Sequence, residues 1–411
     1  MKKQLLILGT GFGGFSLMKG IRSDLYDVTV VSTRNHFLFT PLLPSTTVGT
    51  IEFRSIIEPV RLARKDVTFY QAGATALHPE KRTVTCRNIA DAQTFELHYD
   101  TLVIAVGAVN NTFKIPGVAE YAYFLKELRD ARRIRQRIID NFERASTPGL
   151  DAAEMQRRLH IVVVGGGPTG VEFAAEMADF LEEELEKGFP HLVGMAKITL
   201  IEAGKQILSA FDHTVSEYAI KLFNRRRVTI LTGKSVKEVT AQELTLHDGT
   251  QFSHGLVVWS TGNGPTDFVQ SLSCPKDRAG RILVDSFFRV KDNPDIYALG
   301  DCATTEEKSL IATAQVANQG GKYLANYLNQ LAKGKSAESL KPFVYKHLGM
   351  LAYIGDNRAV ADFDATTSQG FATWIFWRSA YLTKLVSLKN KAMVLFDWAK
   401  AFLFGRDVSR F

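Results

Sequence analysis

Cysteine is scarce in this chain: Cys86, Cys274 and Cys302 are the three among 411 residues, and no two form a C-x-x-C pair. That spacing excludes a disulfide framework and a zinc knuckle, and it fits a reducing compartment. Uninterrupted apolar runs of the roughly 18 to 20 residues needed for a membrane span are missing. A secretory leader is missing too, since "MKK" passes directly into "QLLILGTGFGG", a strand and turn without a cleavage site. Positive charge is concentrated rather than spread: the net charge is +7, and Phe371 to Phe411 holds seven Lys or Arg against two Asp. The rest is nearly neutral, so no broad basic footprint for nucleic acid exists. With 45% apolar and 23% charged residues the chain reads as folded and globular, long enough for two or three buried cores.

What is present is a repeated glycine device. "QLLILGTGFGGFSLMKGI" gives a strand from Leu5 to Leu8, then Gly9, Gly11 and Gly14 in G-x-G-x-x-G spacing, then a helix. Such glycines permit a tight turn and close backbone approach, and the helix start offers unpaired N–H groups to a pyrophosphate. "HIVVVGGGPTGVEFAAEMADFL" repeats it with Gly165, Gly167 and Gly170. One such triplet arises by chance about 0.1 to 0.2 times in a chain of this length. Two, each between a strand and a helix, imply two dinucleotides.

The strand after each loop should end in a group that grips a ribose hydroxyl. In the second unit "AKITLIEAG" supplies Glu202, which would accept from an unphosphorylated ribose and repel a 2′-phosphate, so NADH is expected over NADPH, with Lys205 nearby. The intervening "LEEELEKGFPHLVGM" is expected to be a solvated helix end. In the first unit "VVSTRN" places Ser32 where an acid is usual, with Arg34 beside it. "NPDIYALGDCATT" puts Asp301 after a strand and turn, where a carboxylate can bond the ribitol hydroxyls of FAD.

The order G-x-G-x-x-G, "VIAVGA", second G-x-G-x-x-G, "STGNGP" and "YALGD" resembles the two-dinucleotide flavoprotein superfamily over about Leu5 to Leu328. The resemblance implies an α/β fold of two Rossmann-like dinucleotide-binding domains, with the NAD domain inserted in the FAD domain. The expected segments are 1–120 and 271–335 for FAD, 121–270 for NADH and 336–411 as an amphipathic membrane-anchoring region. Gly107 and Gly262 join the cofactor-binding set from "VIAVGA" and "STGNGP", and the basic run Arg129 to Arg144 is expected to bridge the domains.

Many members of that superfamily use a cysteine pair beside the flavin, which this chain lacks, so Cys302 reads as a small buried residue. In "IATAQVANQGGKYLANYL", Gln315 and Gln319 lie one helical turn apart beside Ala314 and Ala317, where their amides could meet a quinone carbonyl. "FLFTPLLPSTTVGT", "GVEFAAE", "AQVANQGGKYLA" and "WRSAYLTKLVS" together resemble the type II NADH:quinone oxidoreductases. The resemblance implies that Glu172 adjoins nicotinamide and flavin, and that Lys384 helps line a quinone entrance. Glu172 is read as an acid of the first helical turn, while Glu176 reads as structural or interdomain.

Two greasy stretches remain. In "FLFTPLLPS" Thr40 can hydrogen-bond near the flavin, and Pro41, Leu42 and Leu43 can form an apolar wall. In "LKNKAMVLFDWAKAFLF", Leu388, Ala392, Leu395, Ala399 and Phe402 share one helical face, with Lys389, Asp397 and Lys400 opposite. With Trp374, Trp377 and Trp398 this reads as a helix lying in a membrane interface. The expected partners are thus a quinone and membrane lipids, with no nucleic acid and no metal, and a homodimer left open. A phosphate loop at Gly9 leaves no room for a transit peptide, so the cytoplasmic face of a bacterial inner membrane, or a processed mitochondrial chain, is expected. Rival readings are a sulfide:quinone oxidoreductase, which needs cysteines, and an NADH-sensing flavoprotein without turnover.

Overall fold

The computed structural model describes residues 2–307, 309–363 and 365–409; Met1, Lys308, Asp364, Arg410 and Phe411, which fall within the expected 1–120, 271–335 and 336–411 segments, lie outside the described residues. Two compact units emerge. The first comprises 1–38, 58–109 and 263–347, and the second 39–57, 110–262 and 348–411. In sequence order the long middle segment of the second unit interrupts the first. The switches fall at 109/110, 262/263 and 347/348, against 120/121, 270/271 and 335/336 in the sequence reading.

The first unit is built on a ten-stranded sheet. Its centre is parallel: Asn293–Ala298, Thr101–Ile104, Lys3–Leu8, Tyr26–Ser32 and the start of Thr68–His78 lie side by side, with Leu5 opposite both Val28 and Thr101. Leu5, Leu6, Ile7 and Leu8 are all buried, as a central strand covered on both faces requires. The far end of Thr68–His78 turns into an antiparallel meander with Thr83–Asn88 and Thr94–His98. Helix Phe12–Gly20 packs against helix Ala314–Ala332. They come close because a Cβ on Gly321 would lie 2.2 Å from the Gly13 carbonyl oxygen.

The second unit has a five-stranded parallel sheet, in order Tyr123–Phe124, Leu256–Trp259, His160–Val164, Lys197–Glu202 and Val228–Thr232. Helix Leu128–Ala145 carries the arginine run. It opens with a reciprocal cap between Glu127 and Asp130 and buries Ile134, Ile138 and Ile139, which makes it a core helix of this unit.

Residues 348–409 pack inside this unit. A three-stranded antiparallel sheet, Met350–Gly355, Arg358–Phe363 and Thr366–Gly370, is followed by helices Phe371–Lys384 and Leu388–Phe404. The last helix docks by its polar side. Asp397, 4% exposed, accepts from the Glu52 N–H (3.0 Å) and the Ser55 hydroxyl (2.5 Å). Asn390 donates to the carbonyls of Ser55 and Ile57 at 2.9 and 2.8 Å. The apolar face is left outside, with Leu388 84% and Phe402 86% exposed. Trp377 and Trp398 do not share it. Both are buried, Trp377 beside Tyr353 and Tyr381, because the helix pair turns its indoles inward; only Trp374 is part-exposed.

Two further expectations change. The insertion after helix Pro168–Phe180 is solvated at Glu182, Glu183, Lys187 and Gly188 as expected, but it is also anchored. It continues as a π-helical stretch, Leu181–Leu185, with both leucines buried, and Glu183 and Glu184 accept from the side chain and backbone N–H of Arg406, each at 3.0 Å. The greasy stretch "FLFTPLLPS" folds as a strand end, a 3-10 turn Thr40–Leu42 and a short helix Leu43–Thr46. Leu42 and Leu43 are fully buried, so they serve as core and offer no open wall, while Thr40 and Pro41 stay part-exposed.

Arg406 is the hub of the tail. It donates to Thr50 Oγ1 (2.9 Å), and its guanidinium lies 3.8 Å from buried Glu176, which also accepts from Ser45 and Thr50 at 2.6 Å each. Removing one partner of a buried ion pair strands the other charge. Arg406→Ala should therefore lose about 3 kcal/mol of unfolding free energy in denaturant titration and expose the end of helix Leu388–Phe404 to protease; Arg406→Lys should lose less.

Candidate active site

Both glycine loops adopt the same geometry. Gly9 (φ +103°) donates its N–H to the Val31 carbonyl on the neighbouring strand at 2.7 Å; Gly165 (φ +113°) donates to the Ile201 carbonyl at 2.8 Å. A left-handed φ with a close carbonyl admits only glycine without strain. The last glycine of each triplet is equally forced: a Cβ on Gly14 or Gly170 would sit 2.0 Å from the carbonyl oxygen of Gly9 or Gly165. The middle glycine is different. A Cβ on Gly167 meets nothing within 4 Å, and one on Gly11 meets only the Arg34 guanidinium at 3.9 Å. Those glycines keep open the space at a helix N-terminus where a pyrophosphate fits, and Arg34 supplies a cation beside the first.

The expected residues gather at the C-terminal ends of adjacent parallel strands, where ligands bind in open α/β sheets. In the first unit four neighbouring strands end in Asp301, Gly107, the Gly9 loop and Ser32. Gly107 has φ +71° and open space around its missing Cβ. Ser32 accepts from the Thr10 hydroxyl at 2.9 Å and from the Arg34 N–H at 3.3 Å. Asp301 sits in the turn Gly300–Cys302. Cys302 holds that turn to the sheet, its thiol donating to the carbonyls of Leu299 (3.3 Å) and Ile104 (3.5 Å); burial pushes it up to about 12, so it is no nucleophile.

In the second unit three neighbouring strands end in the Gly165 loop, Glu202 and Gly262. The Glu202 carboxylate accepts from the N–H groups of Gly166 and Gly204, each at 2.6 Å, which fixes it against the glycine loop. Gly262 has φ +75°, and a Cβ there would press on Phe113 and Asn111.

Helix Ala314–Ala332 begins with Thr313 capping the Val316 N–H at 3.3 Å. It separates two glutamines that the sequence treats alike. Gln319 is engaged at both amide atoms, its oxygen accepting from the Lys346 N–H (3.1 Å) and its nitrogen donating to the Lys346 carbonyl (2.8 Å). Gln315, in the first turn beside Ala314, has its amide oxygen near the Tyr345 hydroxyl at 3.4 Å.

Glu172 departs most from expectation. It lies just beyond the first turn of helix Pro168–Phe180, so the helix N-terminus does little to hold its charge. It is 5% exposed and accepts from the Tyr353 N–H (3.1 Å) and the Trp377 indole N–H (3.2 Å). Burial dominates and pushes its carboxyl up to about 8, with Glu176 adding in the same direction. Glu176 and Asp179 extend the same helix face; Asp179 accepts from the Tyr353 hydroxyl at 2.6 Å and pairs with Arg226 at 2.7 Å. Tyr353, Asp179 and Arg406 escaped the sequence reading, and Trp377 was read as an interface residue, because no local spacing joins residues so far apart. Lys384 lies exposed at the end of helix Phe371–Lys384.

Among the described residues no cluster of His, Cys, Asp or Glu could hold a metal. Fold and loops together define the class. Residues 3–321 match the pyridine nucleotide-disulphide oxidoreductase model, and the chain belongs to that family. Residues 347–407 match the NDH2 C-terminal domain. The chain is 43% identical over its whole length to the internal alternative NAD(P)H-ubiquinone oxidoreductase A1, mitochondrial, of Arabidopsis thaliana, covering 86% of that protein. It is 41% identical, over 99% of itself and 82% of the relative, to the external NADH-ubiquinone oxidoreductase 2, mitochondrial, of Saccharomyces cerevisiae. The structure of Plasmodium falciparum NDH2 in complex with NADH superposes at a TM-score of 0.95, with 29% identity and full coverage of both chains. A sulfide:quinone oxidoreductase from Aquifex aeolicus, at 17% identity and a TM-score of 0.73, shares the fold alone. Within the family, the chain falls among the type II NADH:quinone oxidoreductases.

A carboxyl raised by burial stabilises the fold below its ordinary range and loses that stabilisation as pH rises towards the folded value. The stability of wild type relative to Glu172→Gln should therefore fall by about 1.4 kcal/mol per pH unit between roughly pH 5 and 8, read from denaturant midpoints across that range. A flat difference would show that Glu172 ionises normally.

Proposed function

We propose that this chain takes a hydride from NADH onto FAD and passes two electrons to a quinone, without pumping protons. FAD, when bound, supplies the hydride-accepting ring and the two-electron store; the protein supplies position and electrostatics. The observation that carries the reading is the pair of matching glycine loops, each with open space at its middle glycine, in a chain with no cysteine pair for disulfide chemistry.

In the first unit Gly9, Gly11 and Gly14 cradle the FAD pyrophosphate, with Arg34 beside it and Ser32 towards the adenosine ribose. Asp301 takes ribitol hydroxyls, and Gly107 borders the ring. The N-terminal dipole of helix Ala314–Ala332 favours negative charge on the reduced ring. In the second unit Gly165, Gly167 and Gly170 cradle the NADH pyrophosphate. Glu202, rigid and acceptor-only, accepts from the adenosine ribose and disfavours a 2′-phosphate, and Gly262 lies at the neighbouring strand end towards the nicotinamide arm. Gln315 is the amide that meets a quinone carbonyl, and Gln319 braces Lys346. Glu172, neutral near pH 7, holds a proton that quinone reduction consumes.

The enzyme works at a membrane surface. Among the described residues no helix is long and apolar enough to cross a membrane. The last two helices instead present Phe371, Ile375, Phe376, Leu395, Phe396, Phe402, Leu403 and Phe404 outward, each between 47% and 86% exposed. Because polar groups dock these helices to the fold, their apolar side is open to lipid. Relatives named as mitochondrial favour a mitochondrial membrane over a bacterial one. A homodimer would draw on the same apolar row.

Anaerobic stopped-flow on the FAD-loaded protein should show fast flavin reduction by NADH and fast reoxidation by a short-chain quinone; slow reoxidation would leave an NADH sensor as the better reading. Gln315→Ala should slow reoxidation at least tenfold while sparing reduction, the loss of a hydrogen bond to the reacting quinone being worth about that factor, and Gln319→Ala should not. The triple change Phe402→Ser, Leu403→Ser, Phe404→Ser should weaken liposome flotation more than tenfold, since each buried phenyl or leucyl group contributes about 1.5 to 3 kcal/mol. Its turnover of a water-soluble quinone should stay at the wild-type rate.

A further inference from the structure

We propose that the Arg378 guanidinium, held beside two indole rings, receives the phosphate of a membrane phospholipid. The inference rests on the membrane-surface reading above and names the lipid group that surface selects.

Arg378 lies on helix Phe371–Lys384. Its guanidinium carbon is 4.0 Å from the ring centroid of Trp374 and 4.7 Å from that of Trp398 on the last helix. Both rings thus lie within cation–π range of the planar cation. Its N–H donors all lie in the plane and point out from the rim. An in-plane fork of donors is the geometry that matches an oxyanion two-pronged.

That fork has no partner in the protein. Among the described residues the Arg378 guanidinium makes no hydrogen bond and no ion pair, and its Nε is buried without an acceptor. The groups whose charge reaches it are spoken for. Glu176 is bonded to Ser45 and Thr50 and lies beside Arg406, which repels Arg378, and Tyr353 donates its hydroxyl to Asp179. A half-buried cation with unmet donors is costly, and an oxyanion is the complement it lacks.

The surroundings say which oxyanion. Trp374 leads outward to Phe371, 5.4 Å away and 61% exposed, and Ile375, Phe376, Leu395 and Phe396 are exposed on the same two helices. A donor fork set among outward apolar side chains matches the layer where acyl chains meet headgroups. A free phosphate ion gains nothing from that apolar setting, whereas a phospholipid satisfies both at once.

The test uses full-length, FAD-loaded protein and two electroneutral vesicles, so that the basic tail contributes equally to both: phosphatidylcholine, which carries phosphate, and digalactosyldiacylglycerol, which does not. Wild type should bind the first about tenfold more tightly, as a charge-assisted hydrogen bond would give. Arg378→Gln should lose that preference while binding the galactolipid as before, and Arg378→Lys, a point charge without the fork, should keep part of it. Equal wild-type affinity for both vesicles would overturn the proposal. So would a preference that survives in Arg378→Gln, or competition by inorganic phosphate as effective as that of the lipid. Failure to bind either vesicle would sink the membrane reading itself, an outcome distinct from lost selectivity. An unchanged melting temperature for Arg378→Lys keeps a folding defect from imitating the expected result.

Discussion

Three acids on one face of helix Pro168–Phe180 determine how the second unit is assembled. Glu172, Glu176 and Asp179 are all buried, and each meets a residue after 348: Glu172 accepts from Tyr353 and Trp377, Glu176 lies 3.8 Å from the Arg406 guanidinium while accepting from Ser45 and Thr50, and Asp179 accepts from the Tyr353 hydroxyl. A carboxyl in that setting is tolerable only if it is paired, hydrogen-bonded or neutral. The fold uses all three solutions. Asp179 is paired with Arg226, Glu176 accepts two hydroxyls beside an arginine, and Glu172, with two weak donors and no cation, is driven towards the neutral acid. The C-terminal segment is thus a structural component of the nucleotide-binding unit, and it is burial in that unit that drives the Glu172 carboxyl up against the opposing hydrogen bonds.

That requirement explains the orientation of the tail. Asn390, Asp397 and Lys400 of the last helix are engaged by backbone and side-chain groups of residues 52–57, and Arg406 is engaged by Glu176 and the two glutamates Glu183 and Glu184. With its polar side committed inward, the helix has only its apolar side to present. The outward row of apolar side chains is the consequence of polar docking within the unit, and Arg378, near two indoles and without a hydrogen bond among the described residues, lies on the same pair of helices.

Much of the chemistry was legible in order along the chain. The glycine triplets, the strands before them and the groups at the ends of the following strands lie within a few tens of residues of each other, and their spacing reports the geometry directly. The expectation for Gln315 and Gln319 was half legible: spacing put them on one face, but only the placement of Lys346 shows that one amide is engaged at both ends. The buried indoles show the opposite failure. Tryptophan in a basic amphipathic segment suggests an interface, yet Trp377 and Trp398 turn inward, because one reaches Glu172 and the other stacks on Arg378. Leu42 and Leu43 likewise looked like a ligand wall and proved to be core.

By itself the sequence determined the local devices: two phosphate loops that only glycine can close, the acid and serine at the strand ends, the absence of a cysteine pair and the existence of a two-faced final helix. Tertiary structure alone decided which face of that helix is covered, that Gln319 is engaged at both amide atoms, and that Glu172 is buried among residues distant in sequence. The reason is physical. Periodicity and spacing follow from backbone geometry over a few turns, whereas burial and ionisation depend on partners 181 and 205 residues away, as for Glu172, and no local pattern encodes them.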